Sequence, residues 1–110
     1  MEERNELFED EYLIFHSKRK KCMVKLDDIL YFVSHQHQIT MVTETGQYVF
    51  NDSMKNLENK LAGKYFIRIH NSYIIHAQYV RAKIGNEIHM TNGDVIKISR
   101  RYLQKYREQC

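Results

Sequence analysis

Residues 80–99 read VRAKIGNEIHMTNGDVIKIS. Val80, Ala82 and Ile84 alternate with Arg81 and Lys83, Gly85-Asn86 interrupts, residues 87–90 resume, and Asn92-Gly93 interrupts again before residues 95–98. A period of two is strand periodicity, because successive side chains of an extended chain point to opposite faces. Gly-Asn and Asn-Gly supply the left-handed backbone that tight hairpin turns require. The stretch predicts two consecutive antiparallel hairpins, and with them a chain assembled from short strands.

Working outward, the same grammar recurs. Residues 66–69 and 73–75 are β-branched and aromatic runs separated by His70-Asn71-Ser72, a turn or bulge in which Asn and Ser compete for backbone partners. Residues 12–16 and 21–25 flank SKRK, a hairpin with a cationic tip, and residues 26–28 form a bend in which Asp28 is able to cap a single helical turn. Residues 30–33, 39–43 and 47–50 form a meander through the loop SHQHQ and the turn Thr45-Gly46. One internal helix is predicted after NDS, where Asp52 or Ser53 is the N-cap and Met54, Leu57 and Leu61 make the apolar stripe, with Gly63 suited to a left-handed ending. Ser99 caps a last short helix with Arg100, Arg101, Leu103, Lys105 and Arg107, whose charge is nearly all positive. The fold class is therefore mostly β: about ten short strands in stacked antiparallel sheets or a small barrel, one amphipathic helix and a short C-terminal helical turn.

Composition bounds the function. A chain of 110 residues with 43% hydrophobic and 12% aromatic content holds one well-packed domain, which at this size buries about two-thirds of its unfolded surface. No apolar run approaches the roughly 20 residues of a membrane span, and the amino terminus MEERNELFEDE is acidic where a signal peptide is basic and then apolar; the expectation is a cytoplasmic protein with no membrane partner. Cys22 and Cys110 have no CxxC spacing and read as unpaired thiols. Residues 1–11, an acidic tail or linker remnant, hold six acids against Arg4, so the domain expected over residues 12–110 carries eight acids, sixteen bases and a net charge of +8. A basic body of this kind attracts polyanions.

Enzyme and metal chemistries find little support. His35 and His37 would point the same way on an extended chain, but no HExxH, paired CxxC or nearby carboxylate completes a zinc site. His70 beside Ser72 lacks a nucleophile elbow, a phosphate loop or any glycine-rich turn. The expectation is no catalytic residue, no metal and no cofactor. Arg68-Ile69-His70-Asn71-Ser72-Tyr73 and Ser99-Arg100-Arg101-Tyr102 instead interleave bases with aromatics, as a phosphate-lined surface does; Arg forks onto guanine, Asn pairs with adenine, and Tyr, Ser and Lys hold phosphates.

The order of motifs, LDDILYFVSHQHQITMVTETGQYVF, SMKNLENKL, YFIRIHNSYIIHAQYV and IHMTNGDVIKISRRYLQKY, resembles the LytTR DNA-binding family across about residues 12–107. The resemblance implies an elongated stack of antiparallel sheets that reads successive major grooves of promoter DNA with loops, bends the duplex and favours direct repeats. By position it implies base contacts from Asn71, from Arg101 and from the SHQHQ loop through His35 or His37, with Arg68, Ser72, Tyr73, Tyr102 and Lys105 anchoring phosphates nearby. Implied partners are double-stranded promoter DNA, a second copy on an adjacent half-site and RNA polymerase. Relatives commonly carry an amino-terminal phosphoryl-accepting receiver, which an 11-residue acidic head does not supply, so the chain reads as a standalone regulator or an excised domain. An alternative is an interaction protein that antagonises a full-length relative by mixed pairing or promoter competition; single-strand binding by stacking on surface Tyr is a third reading.

Overall fold

The computed structural model describes residues 11–109, with side chains through Gln104. The acidic residues 1–10, Cys110 and the side chains of Lys105 and Arg107 lie outside the described residues. Ten strands form three antiparallel sheets. β1 (Tyr12–Ser17) and β2 (Lys20–Lys25) make a hairpin. A five-stranded sheet runs β5 (Gln47–Asn51), β4 (Gln38–Thr43), β3 (Ile29–His35), β7 (Tyr73–His76), β6 (Phe66–His70). The third sheet comprises β8 (Val80–Ile84), β9 (Glu87–Met90) and β10 (Val95–Lys97), the hairpins predicted from the opening stretch.

The five-stranded sheet is the middle layer, and alternation along its strands feeds a core on each face. Phe32, Met41 and Ile74 pack on one side with Leu13 and Phe15 of the hairpin and with Met54 and Leu57 of helix α1 (Met54–Lys60). Ile67, Ile69 and Ile75 pack on the other with Ile88, Met90 and Ile96 of the third sheet and Tyr102 of helix α2 (Arg100–Gln109). Ile74 and Ile75, adjacent in β7, thus enter different cores, as period two demands. Layers stacked this way give extents of 43 × 35 × 25 Å, an elongated body.

Several local details differ from the sequence reading. The loop expected over SHQHQ is only a two-residue turn: His35 pairs with Gln38, and Gln36 and His37 take φ of 51° and 67°. The chain between the two histidines is therefore folded back, and they do not share an extended face. Ser53 is the N-cap of α1, its Oγ accepting from Asn56 N at 3.0 Å, while Asp52 Oδ1 accepts from Ser53 N at 2.8 Å. Asp28 caps nothing; the turn Leu26–Asp28 has no side-chain cap. Ser99 also fails to cap with its side chain, for its Oγ is buried without a partner among the described residues and Tyr102 N bonds instead to its carbonyl at 3.0 Å. The closing helix spans ten residues, longer than the turn expected.

Candidate nucleic-acid interface

Pairing register brings four turns to one end of the molecule. Asn51 pairs with Gln38 and His35 with Gln38, so the end of β5 lies beside the Gln36-His37 turn. Val33 pairs with Tyr73 and Ser34 N donates to Ser72 O at 2.9 Å, which sets the Asn71-Ser72 turn next along. Ser99 N donates to Ile69 O at 3.0 Å and so docks the start of α2 against β6. On the opposite flank Ser17 Oγ donates to Val49 O at 2.7 Å, setting the tip of the β1–β2 hairpin against β5.

Asn71 is exposed and held from two sides. Its carbonyl accepts from Arg68 Nη2 at 2.7 Å, and its Oδ1 accepts from the Tyr102 hydroxyl at 3.3 Å. Arg68 also donates through Nε to His70 O at 3.2 Å, so two of its five donors clamp the turn, while a third, through Nη1, ties it to Glu58 of α1 at 3.2 Å. The Arg68 and Arg101 guanidinium carbons each lie 5.6 Å from the Tyr102 ring centroid, within cation–π reach. Tyr102 is buried in the second core, which fixes the ring that both arginines approach. His70 Nδ1 accepts from Ser72 N at 3.1 Å; the backbone partner expected of Asn71 or Ser72 is supplied by the histidine before them. Tyr73 is half-buried, its ring against His70 and Tyr31. The sequence candidates Arg68, Asn71, Arg101 and Tyr102 therefore form one cluster, with Ser72 and Tyr73 adjoining it.

Both histidines of the β3–β4 turn are exposed, His35 at the strand end and His37 at the tip. His37 shares a shallow depression of about 370 Å³ with Ser34, Lys55 and Arg68, which joins the turn to the Asn71 cluster. Lys55, Glu58 and Ser34 carry no local sequence signal for this role; they reach the site from other elements, Lys55 and Glu58 from what reads simply as the polar face of α1.

Charge is distributed to match. Lys18, Arg19, His37, Lys55, Arg100 and Arg101 are all exposed at this end. The acids there are engaged: Asp52 with Lys60 at 3.4 Å and Glu58 with Arg68 at 3.2 Å. Asp27, Asp28 and Glu44 sit at the far end, where Ile29 pairs with Thr43 and the Tyr79 hydroxyl donates to the Asp27 carbonyl. Burial, with the nearby Glu44, Asp27 and Asp28 charges, raises the Tyr79 pKa. No cluster of three or more His, Cys, Asp or Glu among the described residues is arranged to hold a metal, and no helix among them is long and apolar enough to cross a membrane.

With turns of this chemistry lined along one basic end of a sheet stack, the match of the LytTr DNA-binding domain to residues 19–110 decides the assignment. The chain belongs to the LytTr DNA-binding domain family. The fold agrees: the LytTr domain of a putative methyl-accepting/DNA response regulator from Bacillus cereus superposes with a TM-score of 0.76, covering 88% of this chain and 94% of that one at 19% identity. The chain is 28% identical over 81 residues to the heme-containing CO-sensing transcriptional regulator RcoM 1 of Paraburkholderia xenovorans, covering 72% of this chain and 30% of that protein. It is 26% identical over 90 residues to the transcriptional regulatory protein LytR of Staphylococcus aureus, covering 77% and 37%. For the sensory transduction protein LytT of Enterococcus faecalis the figures are 24% over 92 residues, 79% and 38%. This LytTr domain thus spans well under half the length of these relatives.

Proposed function

We propose that this LytTr domain regulates transcription by reading double-stranded promoter DNA with turns, inserting Asn71, Arg101 and His37 into successive major grooves and bending the duplex between them. The observation that carries the reading is the double hold on Asn71. Arg68 ties its backbone and Tyr102 ties its Oδ1, so an exposed amide is presented in one orientation before any base arrives, which lowers the ordering cost of a bidentate contact to adenine. Arg101 stacks on the same Tyr102 ring and offers a planar fork suited to guanine. Of the two histidines, His37 is favoured because it occupies the turn tip and faces the depression shared with Arg68.

In this reading Arg68 and Tyr102 position the turn more than they bind phosphate, Ser72 and Tyr73 flank the groove, and Lys105 neutralises a phosphate. Two copies on adjacent direct repeats and contact with RNA polymerase follow as the regulatory consequence of a bent, doubly occupied promoter.

Titrations on a duplex selected from a random pool by the wild-type protein, and on a scrambled duplex, test this. Asn71→Ala and Arg101→Ala are each expected to lose about 1–3 kcal/mol on the selected duplex and little on the scrambled one, while Lys105→Ala weakens both alike and flattens the salt dependence. Equal losses on both duplexes for all three variants refute base reading by these residues.

A further inference from the structure

We propose that the Lys18-Arg19 turn of the β1–β2 hairpin is a second DNA-backbone anchor, gripping phosphodiester oxyanions beyond the groove entered by His37, on the side away from Arg101. The proposal rests on the duplex-reading function above. It adds a contact beyond Asn71, Arg101 and His37, and one of its two cations, Lys18, lies upstream of the family match, which begins at Arg19.

Placement is the first argument. Lys18 shares a depression of about 250 Å³ with His16, Gln38 and Asn51, so the hairpin tip adjoins the strand ends that frame the Gln36-His37 turn. The row of turns along the basic end therefore continues past His37 to Arg19. Availability is the second. Lys18, Arg19, Lys20 and Lys21 are all exposed, and no acid among the described residues pairs with any of them. A run of four cations with no compensating carboxylate among the described residues is held close together only against self-repulsion, and a polyanion relieves it.

Backbone geometry is the third. Lys18 and Arg19 take φ of 53° and 67°, the left-handed pair of a tight hairpin turn that Asn-Gly fills without strain. The chain places its two long cations there instead. Ser17 pairs with Lys20 and bonds through Oγ to Val49 O, so the tip is a fixed platform, not a loose end. Arg19 supplies a fork for a phosphate and Lys18 a point charge.

The test uses Lys18→Asn/Arg19→Gly, which deletes both charges while installing the preferred turn sequence, so a loss of binding does not arise from a failed fold. On the selected and scrambled duplexes of the preceding experiment, affinity is expected to fall roughly tenfold on both, the ratio between them to hold, and the slope of log affinity against log salt to flatten by up to about 2, near 0.9 for each phosphate released. Hydroxyl-radical footprinting should show protection lost at one edge only, next to the His37 groove and distal to Arg101. Unchanged slope and footprint overturn the anchor while Asn71-dependent discrimination keeps the base-reading function intact. Unchanged single-site binding with lost cooperativity on a two-site duplex also overturns it, by assigning the tip to a neighbouring copy. A wild-type protein that prefers no duplex sequence brings down both readings.

Discussion

His76 shows how a single buried polar group is made tolerable. It is 2% exposed, wedged between the Phe66 and Tyr79 rings at 4.4 and 5.1 Å, and its Nδ1 accepts from Gln78 N at 3.2 Å to cap the turn Ala77–Tyr79. Burial lowers its pKa from 6.5, only partly opposed by the Asp27 charge. The folded chain thus holds the ring neutral where the unfolded chain begins to protonate it, and stability falls as pH drops below about 6.5, levelling off once the folded-state value is passed. Replacing the ring by Asn keeps an acceptor for Gln78 N and removes the titration. Urea unfolding from pH 7.5 down to 5 should show wild-type stability declining more steeply than that of His76→Asn, whatever their difference at neutral pH; parallel curves would contradict a neutral buried imidazole. At this scale the sequence speaks clearly about residue type and faintly about role. Asn71 and Arg101 stand out as base-reading chemistry, whereas His70 as a backbone acceptor and Glu58 as the partner of Arg68 do not, because neither role is visible until the turn is folded.

Among elements, the coupling that matters joins α2 to the β6–β7 turn. Tyr102 reaches from the helix to Asn71 Oδ1 while its ring remains in the second core, so the hydroxyl and the ring do separable work. Tyr102→Phe keeps the ring and deletes the bond. Its expected signature is a several-fold loss of preference for the selected over the scrambled duplex, with the salt slope unchanged and a thermal midpoint within a few degrees of wild type. A Phe variant that keeps full discrimination would remove the positioning role. Elements themselves were largely legible: alternation and turn dipeptides are local properties, so the strands, α1 and the hairpins fall where the pattern puts them, while the choice of Ser53 over Asp52 as the cap of α1 came from the folded chain. Length was less so, since SHQHQ contracts to a two-residue turn when β3 and β4 pair fully, and α2 runs to ten residues where a short turn was expected.

Across the whole molecule, the third sheet is pinned to the middle layer by a long-range bond, the Tyr31 hydroxyl donating to Asp94 at 2.7 Å between residues 63 apart in the chain. Burial and the adjacent carboxylate raise the Tyr31 pKa, so the bond persists through the physiological range. Tyr31→Phe should destabilise the protein by about 1–2 kcal/mol in urea unfolding, the cost of leaving a part-buried carboxylate short of a donor; a change below a few tenths would show the sheet to be held by the apolar core alone. What the amino-acid sequence determined by itself was the inventory: strand and turn positions, the amphipathic helix, the basic excess and the residue types fit for DNA, all of which are encoded within a few neighbours of each residue. Which turns share an end, that Arg68 is spent on clamping Asn71, that His37 rather than His35 occupies the tip, and that Asp27, Asp28 and Glu44 lie opposite were decided only by tertiary structure, because strand order and register bring together groups that no local pattern relates.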